Sequence, residues 1–231
     1  MHFVDIWQGA LPMNPGRLNS LTSLLHEDEK EKAKTFKIPL LRDRYIAVRG
    51  LLRLVLADYL DIEPIELQFV TGEHGKPALI YHQLYFNLSH SSDLLAIAVS
   101  DLQDIGIDIE QIKPRKGLHD IAKRCFSKLE LYHWSQLQEN QQKQLFYQLW
   151  TKKEAFVKAL GHGISLGLAE CEIDLTDGSS FSKLPHGCGS INDWKIVELP
   201  IWPDICGALV TPNVEHSIKQ FTLDSIWQSI D

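Results

Sequence analysis

IGIDIE, from Ile105 to Glu110, is the most informative segment of this 231-residue chain. Its period-two alternation predicts a β-strand with the isoleucines on one face and Asp108 and Glu110 on the other. The two carboxylates would lie about 7 Å apart along the strand and would repel each other unless a cation bridges them. An isolated pair of this kind is more often the polar face of an ordinary half-buried strand. Gly106 favours a site, because glycine within a strand often marks the close approach of another group.

A second informative segment, Phe146 to Leu160 (FYQLWTKKEAFVKAL), has the periodicity of an α-helix. Glu154 and Lys158 are four residues apart and share one stripe, where they could form an ordinary helical ion pair. Combined with the two strand carboxylates, however, they make a set of three acids and one lysine. Such a set suits a hard cation and a phosphate, because Mg²⁺ takes carboxylate and phosphate oxygens and a lysine neutralises the remaining charge.

Two shorter segments, GKP around Lys76 and FNLSHS from Phe86 to Ser91, add further polar groups. A lysine between glycine and proline is a directed cation, and Ser89 and His90 can donate hydrogen bonds to phosphate oxygens. Adjacent strand residues point to opposite faces, so this serine and histidine do not fit a nucleophile and its base. Each segment alone is equally typical of a plain turn or strand end.

Composition limits the remaining function classes. The chain is 44% hydrophobic, which is enough for one substantial core or two smaller ones packed together. Its net charge of −7 argues against general binding to nucleic acid or to anionic membranes, and no apolar run is long enough to span a bilayer. The four widely spaced cysteines fit neither a zinc site nor a disulfide framework, so we expect reduced, mostly buried thiols and a cytoplasmic protein.

The other predicted elements give an α+β fold in two halves. We expect a strand at 3–7, helices at 26–36, 42–60 and 118–137, and late strands at 171–175, 194–199 and 205–210. The outline repeats from one half to the other, with subdomains at 1–103 and 104–231. FVDIW at 3–7 also resembles GIDIE at 106–110 in alternation and in its central aspartate, which suggests an internal duplication.

The segments together resemble a known family. GKP, FNLSHS, IGIDIE, FSKLE at 126–130 and LWTKKEAFVKALGHGIS at 149–165 are similar, in order and spacing, to the surfactin-type 4′-phosphopantetheinyl transferases, over roughly residues 28 to 175. The resemblance implies two similar α/β subdomains related by a pseudo-two-fold axis. It also implies transfer of phosphopantetheine from coenzyme A to a serine of an apo acyl or peptidyl carrier protein, with release of 3′,5′-ADP.

The same resemblance implies roles for residues around the pyrophosphate of coenzyme A. Asp108, Glu110 and Glu154 would hold Mg²⁺ against it, and Lys158 and His90 would contact it. In the reaction, the metal and cations would stabilise charge on the phosphoryl oxygens and on the leaving group.

At the nucleotide end, the resemblance implies contacts by Lys76 and Ser89, with Arg49 near the 3′-phosphate. Lys32 falls in the family's basic N-terminal stretch. Glu29 departs from the family pattern there, because its position is often basic.

The carrier serine needs a proton acceptor. Glu130 in FSKLE corresponds to a carboxylate that the family places near the reacting centre, so it is our expected general base. Glu110, Glu154 or a metal-bound water are alternatives, and Glu130 could equally be a solvated helix residue.

The segment from Lys113 to Lys128 carries six cations and one aspartate in an otherwise acidic chain. Carrier proteins are typically acidic around their modified serine, so this segment, with apolar Leu118, Ile121 and Phe126, is the expected docking surface. An ordinary solvated helix would carry the same charges.

Two other functions remain open at this stage. A non-catalytic module that binds coenzyme A or a carrier has little need for three carboxylates beside a pyrophosphate. A metal-dependent hydrolase of nucleotide pyrophosphates would use the same cation but needs no docking surface. We expect a monomer, because two similar halves can form one site within a single chain.

Overall fold

The structure is a computed structural model that describes residues 1–72, 75–80, 84–161, 167–200 and 202–227. Its strands are β1 His2–Ala10, β2 Phe69–Thr71, β3 Pro77–Leu79, β4 Tyr85–Ser91, β5 Leu94–Ser100, β6 Gly106–Gln111, β7 Glu172–Ile173, β8 Phe181–Lys183, β9 Trp194–Glu198, β10 Ile205–Pro212 and β11 His216–Thr222. Its α-helices are α1 Pro15–Leu24, α2 Glu27–Lys34, α3 Pro39–Leu60, α4 Leu118–Cys125, α5 Lys128–Ser135, α6 Glu139–Leu160 and α7 Leu223–Trp227. The fold is therefore mixed α+β, as the sequence predicts.

The first half is built on a four-stranded sheet in the order β11-β1-β5-β4. Strand β1 pairs with β5 antiparallel and with β11 parallel. The 22-residue helix α3 supplies a buried apolar run from Ile46 to Ala57, which forms the first core together with one face of the sheet. Helix α1 packs on α3, and Gly50 permits this contact because a Cβ there would meet the Leu21 side chain at 2.7 Å.

The second half repeats this plan around a three-stranded antiparallel sheet in the order β6-β10-β9. Its long helix, α6, also has 22 residues and buries Phe146, Leu149 and Phe156 in a second core. The helix begins at Glu139, seven residues before the start that apolar periodicity predicts. It ends at Gly161, whose φ of 70° is the left-handed conformation that glycine readily adopts at a C-cap.

A third apolar layer lies between the halves and confirms the predicted alternation in IGIDIE. The three isoleucines of this segment are at most 1% exposed and pack against Val4 and Ile6 of β1. The opposite face of β6 carries Asp108 and Glu110 beneath α6. A Cβ on Gly106 would lie only 2.0 Å from the Ala155 carbonyl oxygen. The strand and helix backbones therefore approach closely here, as the glycine predicts.

The two halves share an element order in the described residues. Each begins with a strand, continues with three helices of which the third has 22 residues, then forms a short two-stranded antiparallel sheet and two further strands. In each half the last of these strands pairs antiparallel with the first, giving β1-β5-β4 and β6-β10-β9.

The structure corrects two sequence predictions. The helix expected at 118–137 is two helices, because Ser127 interrupts it and caps α5 by accepting a hydrogen bond from the Glu130 N–H. The end of the second predicted subdomain returns to the first half, where β11 pairs with β1 and α7 joins the first core. No α-helix of the described residues is long and apolar enough to cross a membrane.

Candidate active site

The site begins at the seam where β4 meets β6. Asn87 Oδ1 accepts a hydrogen bond from a main-chain N–H of β6 at 2.9 Å. Ser89 Oγ donates to Asp108 Oδ1 at 2.8 Å, and Ser91 Oγ donates to Glu110 Oε2 at 3.0 Å. Asn87, Ser89 and Ser91 are every second residue of β4, so their side chains all face β6. The seam therefore fixes both carboxylates of IGIDIE from the first half of the chain.

Helix α6 closes over the same carboxylates from the other side. Lys158 Nζ donates to Asp108 Oδ1 at 2.7 Å and to the Ile107 carbonyl at 3.1 Å. Glu154 lies one turn earlier on the same stripe. Within this cluster, two buried carboxylate oxygens have no protein partner, namely Asp108 Oδ2 and Glu154 Oε1; Asp5 Oδ1 of β1, outside the cluster, also has none. Buried polar atoms normally have partners, so this pair indicates room for a ligand that supplies positive charge or protons.

The acids influence one another electrostatically. Burial, and then the charge of Asp108, raises the pKa of Glu154 to about 7. The same two causes, in the same order, raise the pKa of Glu110. A cation in this space would remove both penalties, because it favours the ionised form of each carboxylate. The described residues contain no group of three His, Cys, Asp or Glu side chains already close enough together to hold a metal ion.

A cavity of about 410 Å³ opens beside this cluster, between the two halves. Arg49 of α3 and Lys76 line it from the first half, and Glu154 and Lys158 line it from the second. Apolar walls come from Val48, Pro77, Leu88 and Val157. Three sequence-predicted cations, Arg49, Lys76 and Lys158, therefore share one space with one predicted metal ligand, Glu154.

His90 is exposed and lies on the opposite face of β4 from Ser89. Partial desolvation, followed by the charges of Lys158 and Arg44, lowers the pKa of the His90 imidazole. At neutral pH it is then a neutral hydrogen-bond donor, which suits contact with a phosphate oxygen. Sequence reasoning missed Arg44, which also donates to Asp93 Oδ1 at 2.8 Å; its position in the helix pattern gave no signal of this contact.

Lys76 joins the two halves instead of pointing freely into the cavity. Its Nζ donates to the carbonyls of Ile105 at 3.1 Å and Ala159 at 3.0 Å. Burial lowers its pKa to about 8. The amine is thus a cation held by two dipoles at the point where β6 and α6 come closest.

Arg49 lies at the cavity wall, but Glu29 already binds it. Arg49 Nε donates to Glu29 Oε1 at 2.6 Å, and Arg53 Nε donates to Oε2 at 2.6 Å. Phe69 stacks under both guanidinium groups, 4.5 Å from Arg49 and 5.1 Å from Arg53. The carboxylate that departs from the family pattern is therefore a buried counter-ion, and it reduces the charge that Arg49 offers to a nucleotide.

Glu130, the expected general base, is not brought to this cavity. Its side chain is fully buried, with Oε2 accepting from Lys153 Nζ at 2.5 Å and from the Ser127 N–H at 2.7 Å. Oε1 accepts from the Ile173 N–H at 2.9 Å. A carboxylate enclosed by three donors can neither reach a carrier serine nor readily take up its proton. The geometry contradicts the base assignment and gives Glu130 a structural role.

Two predicted nucleotide contacts lie elsewhere. The Ser89 hydroxyl is directed at Asp108, and Ser89 is not among the described residues that line the cavity. Lys32 is exposed on α2. Asn87 and Ser91 are the residues that sequence reasoning missed at the seam, although they share the strand face of Ser89.

The predicted docking segment is exposed, but its apolar residues are not. All six of its cations lie at the surface, at Lys113, Arg115, Lys116, Lys123, Arg124 and Lys128. Phe126 is 3% exposed, and Leu118 and Ile121 pack against the second core. The surface itself is therefore basic and polar, which corrects the expectation of an apolar contribution from these three side chains.

Comparisons with known proteins agree with this arrangement. Residues 104–210 match the model of the 4′-phosphopantetheinyl transferase superfamily, and residues 12–102 match that of the 4′-phosphopantetheinyl transferase N-terminal region. The chain is 36% identical to the 4′-phosphopantetheinyl transferase HetI of Nostoc sp., over 90% of this chain and 86% of HetI. It is 32% identical to a 4′-phosphopantetheinyl transferase of Bacillus subtilis, over 89% and 95% of the two chains. It is 33% identical to Sfp of the same species, over 75% and 77%. By these matches, the chain belongs to the 4′-phosphopantetheinyl transferase superfamily.

Proposed function

We propose that this protein transfers the 4′-phosphopantetheine arm of coenzyme A to a serine of an apo acyl or peptidyl carrier protein, releasing 3′,5′-ADP. The observation that carries the proposal is the pair of orphaned oxygens on Asp108 and Glu154. They come from a strand and a helix of different sequence segments; Asp108 pairs with Lys158, and Glu154 and Lys158 line the cavity between the halves. Homologues named as transferases of this kind cover most of the chain.

Mg²⁺ is the metal that fits these residues. Asp108, Glu110 and Glu154 supply only hard oxygen donors, and Mg²⁺ commonly binds one or two carboxylates and completes its shell with water and phosphate oxygens. When bound, the ion would supply charge stabilisation to the phosphoryl oxygens.

The remaining side chains bind and orient the phosphates. Lys158 already faces Asp108, so it can pair with a pyrophosphate oxygen while a metal takes over the carboxylate. His90 can also donate a hydrogen bond to the pyrophosphate. Lys76 and Arg49 line the cavity toward the nucleotide end, with the charge of Arg49 reduced by Glu29.

Three remaining contacts differ in how directly they could act. Ser89 would act indirectly, by holding Asp108 in place. Lys32 could reach a nucleotide only from the surface of α2. Glu154 lines the cavity and has a raised pKa, so it replaces Glu130 as the candidate proton acceptor for the carrier serine.

The carrier is proposed to dock on the basic surface of the segment from Lys113 to Lys128. All six cations are exposed, and the acidic face of a carrier protein would be complementary to them. Charge reversal at Arg115 and Lys116 is expected to raise the Michaelis constant for the carrier while the affinity for coenzyme A stays constant. Unchanged carrier kinetics would exclude this surface.

The repeated element order supports an internal duplication in which the halves are related by a pseudo-two-fold axis. The two family matches meet between residues 102 and 104, which supports a boundary near residue 103 for the two subdomains. A single chain then forms one complete site, which supports a monomer. The four free cysteines support a cytoplasmic location. Superposition of β1, α3 and β5 on β6, α6 and β10 tests the duplication, which requires Asp5 to align with Asp108.

The decisive experiment is to mix the protein with coenzyme A, Mg²⁺ and a panel of apo-carrier proteins and to weigh the carriers by mass spectrometry. We expect a mass gain of one phosphopantetheine and stoichiometric 3′,5′-ADP. Binding of both substrates without a mass gain on any carrier would support the non-catalytic module. Release of free phosphopantetheine without a carrier would support the pyrophosphate hydrolase.

A further inference from the structure

An apolar surface lies at the first turn of α3, before the residues of this helix that line the cavity. Ile38, Leu40 and Leu41 are 56%, 48% and 42% exposed, and they occupy a four-residue stretch. We call these three residues the α3 patch. Scattered apolar side chains at a surface are ordinary, whereas adjacent ones often mark a contact with another molecule. The other exposed large apolar residues of the described chain are spread over separate elements, singly or in pairs.

The α3 patch is held rigidly by its surroundings. The N–H groups of Leu41 and Arg42 both donate to the Ile38 carbonyl, at 3.0 Å and 3.2 Å. Pro39 opens the helix, where its fixed φ suits the first turn. Phe36 packs on Tyr45 beneath, with ring centroids 5.3 Å apart. A binding partner would therefore meet a preformed surface and would not have to order it.

The patch stands beside the mouth of the candidate site. Leu40 and Arg44 are four residues apart on α3 and hence lie on the same side of the helix. Leu41 and Val48 are seven residues apart on α3 and also share one side of the helix, and Val48 lines the cavity. A protein that brings a serine to this cavity could therefore contact the α3 patch two helical turns away.

The charges around the patch indicate which kind of partner could bind there. Lys37 and Arg42 lie exposed at its two ends, and Arg42 also pairs with Asp43 at 2.9 Å. In a symmetric dimer through this surface, the cations of one copy would face those of the other, which is unfavourable. A partner with apolar side chains bordered by carboxylates is complementary to both features.

We propose that the α3 patch is a second docking surface for the carrier protein, in addition to the basic segment from Lys113 to Lys128. It would receive an apolar surface of the carrier that is flanked by carboxylates. This inference rests on the proposed transferase function. The carrier would thus contact both halves of the chain, the second through charge and the first through apolar contact.

The test compares the double variant Ile38→Gln, Leu41→Gln with a matched control, Ile191→Gln. Ile191 is 40% exposed and lies in the second half, away from α3. We measure carrier binding by calorimetry, transfer kinetics by mass spectrometry and oligomeric state by sedimentation. The double variant should raise both the Kd and the KM for the carrier about tenfold. Its kcat and its KM for coenzyme A should stay within about twofold.

The outcomes are distinct. Unchanged carrier binding in the double variant, or an equal loss in the Ile191→Gln control, would overturn the docking proposal. So would a wild-type dimer that the double variant converts to a monomer, because the patch would then be a self-interface. If the wild type binds carriers through the patch but transfers nothing, the docking surface is supported and the transferase function is refuted. Leu40→Gln, a separate single substitution in the patch, should weaken carrier binding about threefold.

Discussion

Helix α6 contributes to two carboxylate sites, one around Glu130 and one around Asp108 and Glu154, which differ in whether all carboxylate oxygens have partners. Lys153 contacts Glu130, whose two oxygens are fully occupied by the lysine and main-chain N–H groups. The next residue, Glu154, belongs to the other site, where it and Asp108 each leave one buried oxygen without a partner. Glu130 is fully buried, whereas Glu154 is only partly buried and lines the cavity. The difference teaches that the more deeply buried acid is not the better candidate for function; an unfilled hydrogen-bonding capacity beside a cavity is the more informative feature.

The largest expected effect on activity comes from the unfilled site, where Asp108 and Glu154 each have an oxygen without a partner. Asp108→Asn keeps the shape and the hydrogen bond from Ser89 but removes the charge that a cation and Lys158 would share. We expect transfer to fall by about a thousandfold, of the order seen when one electrostatic stabiliser is removed. Carrier mass gain under single-turnover conditions measures this loss. Ser182→Ala, at an exposed position on β8, is the control, and a rate within tenfold of wild type for Asp108→Asn would contradict the role.

At the filled site, where both oxygens of Glu130 have partners, a substitution should reduce the stability of the protein and not its activity. Glu130→Gln leaves Lys153 buried with a charge and no carboxylate, so the free energy of unfolding should fall by about 3 kcal/mol. Urea unfolding measures this change. The rate per folded molecule at low temperature should stay within about threefold, because Glu130 does not reach the cavity. The double variant Glu130→Gln, Lys153→Met should recover part of the lost stability, since it removes the unpaired charge. A loss of activity without a loss of stability in Glu130→Gln would instead show that Glu130 has a catalytic role.

Gly106→Ala tests the close approach that keeps the unfilled site beneath α6. The added Cβ would lie 2.0 Å from the Ala155 carbonyl oxygen and 2.4 Å from the Ala159 nitrogen, so the strand and helix must separate. We expect a loss of about 2 kcal/mol in stability and a loss of transfer activity at the same time. Gly187→Ala, at an exposed turn with a φ of 87°, is a strained control at which an added Cβ would meet no atom within 4 Å. Normal activity in the first variant would show that the site tolerates a wider gap.

The smallest expected effect concerns a buried cation rather than a carboxylate. Burial lowers the pKa of Lys76 to about 8. The amine is therefore charged below pH 8 and becomes neutral above it, so attraction to anionic coenzyme A weakens as the pH rises. Between pH 7 and 9 the Kd for coenzyme A should rise by about threefold to tenfold. Calorimetry with wild type and Lys76→Met measures this slope; the same slope in the variant would assign it to another group.

Local sequence patterns predicted much of the candidate site, because its acids follow simple periods. Asp108 and Glu110 alternate with isoleucines, and Glu154 and Lys158 are one helical turn apart, so period alone placed each pair on one face. Gly106 also predicted the close contact with α6. The same logic could have found Asn87 and Ser91.

The sequence predictions failed where residues that are distant in sequence come into contact, and where a residue of a helix cap was assigned a catalytic role. The Ser127-to-Glu130 spacing is that of a capping box, a local signal that predicts a structural carboxylate. The capture of Arg49 by Glu29 joins residues 20 positions apart in different helices, and no periodicity encodes it. Pairing of β11 with β1 likewise depends on packing and not on pattern.

That pairing has a consequence for biosynthesis. His2 of β1 lies opposite His216 of β11, so one side of β1 gains its partner only after the more than 200 residues between them have been translated. Until then β1 presents unpaired main-chain groups on that side, which can attract other strands. Contacts of such long sequence separation are slow to form. A nascent chain of this protein should therefore depend on ribosome-associated chaperones until its final strand emerges.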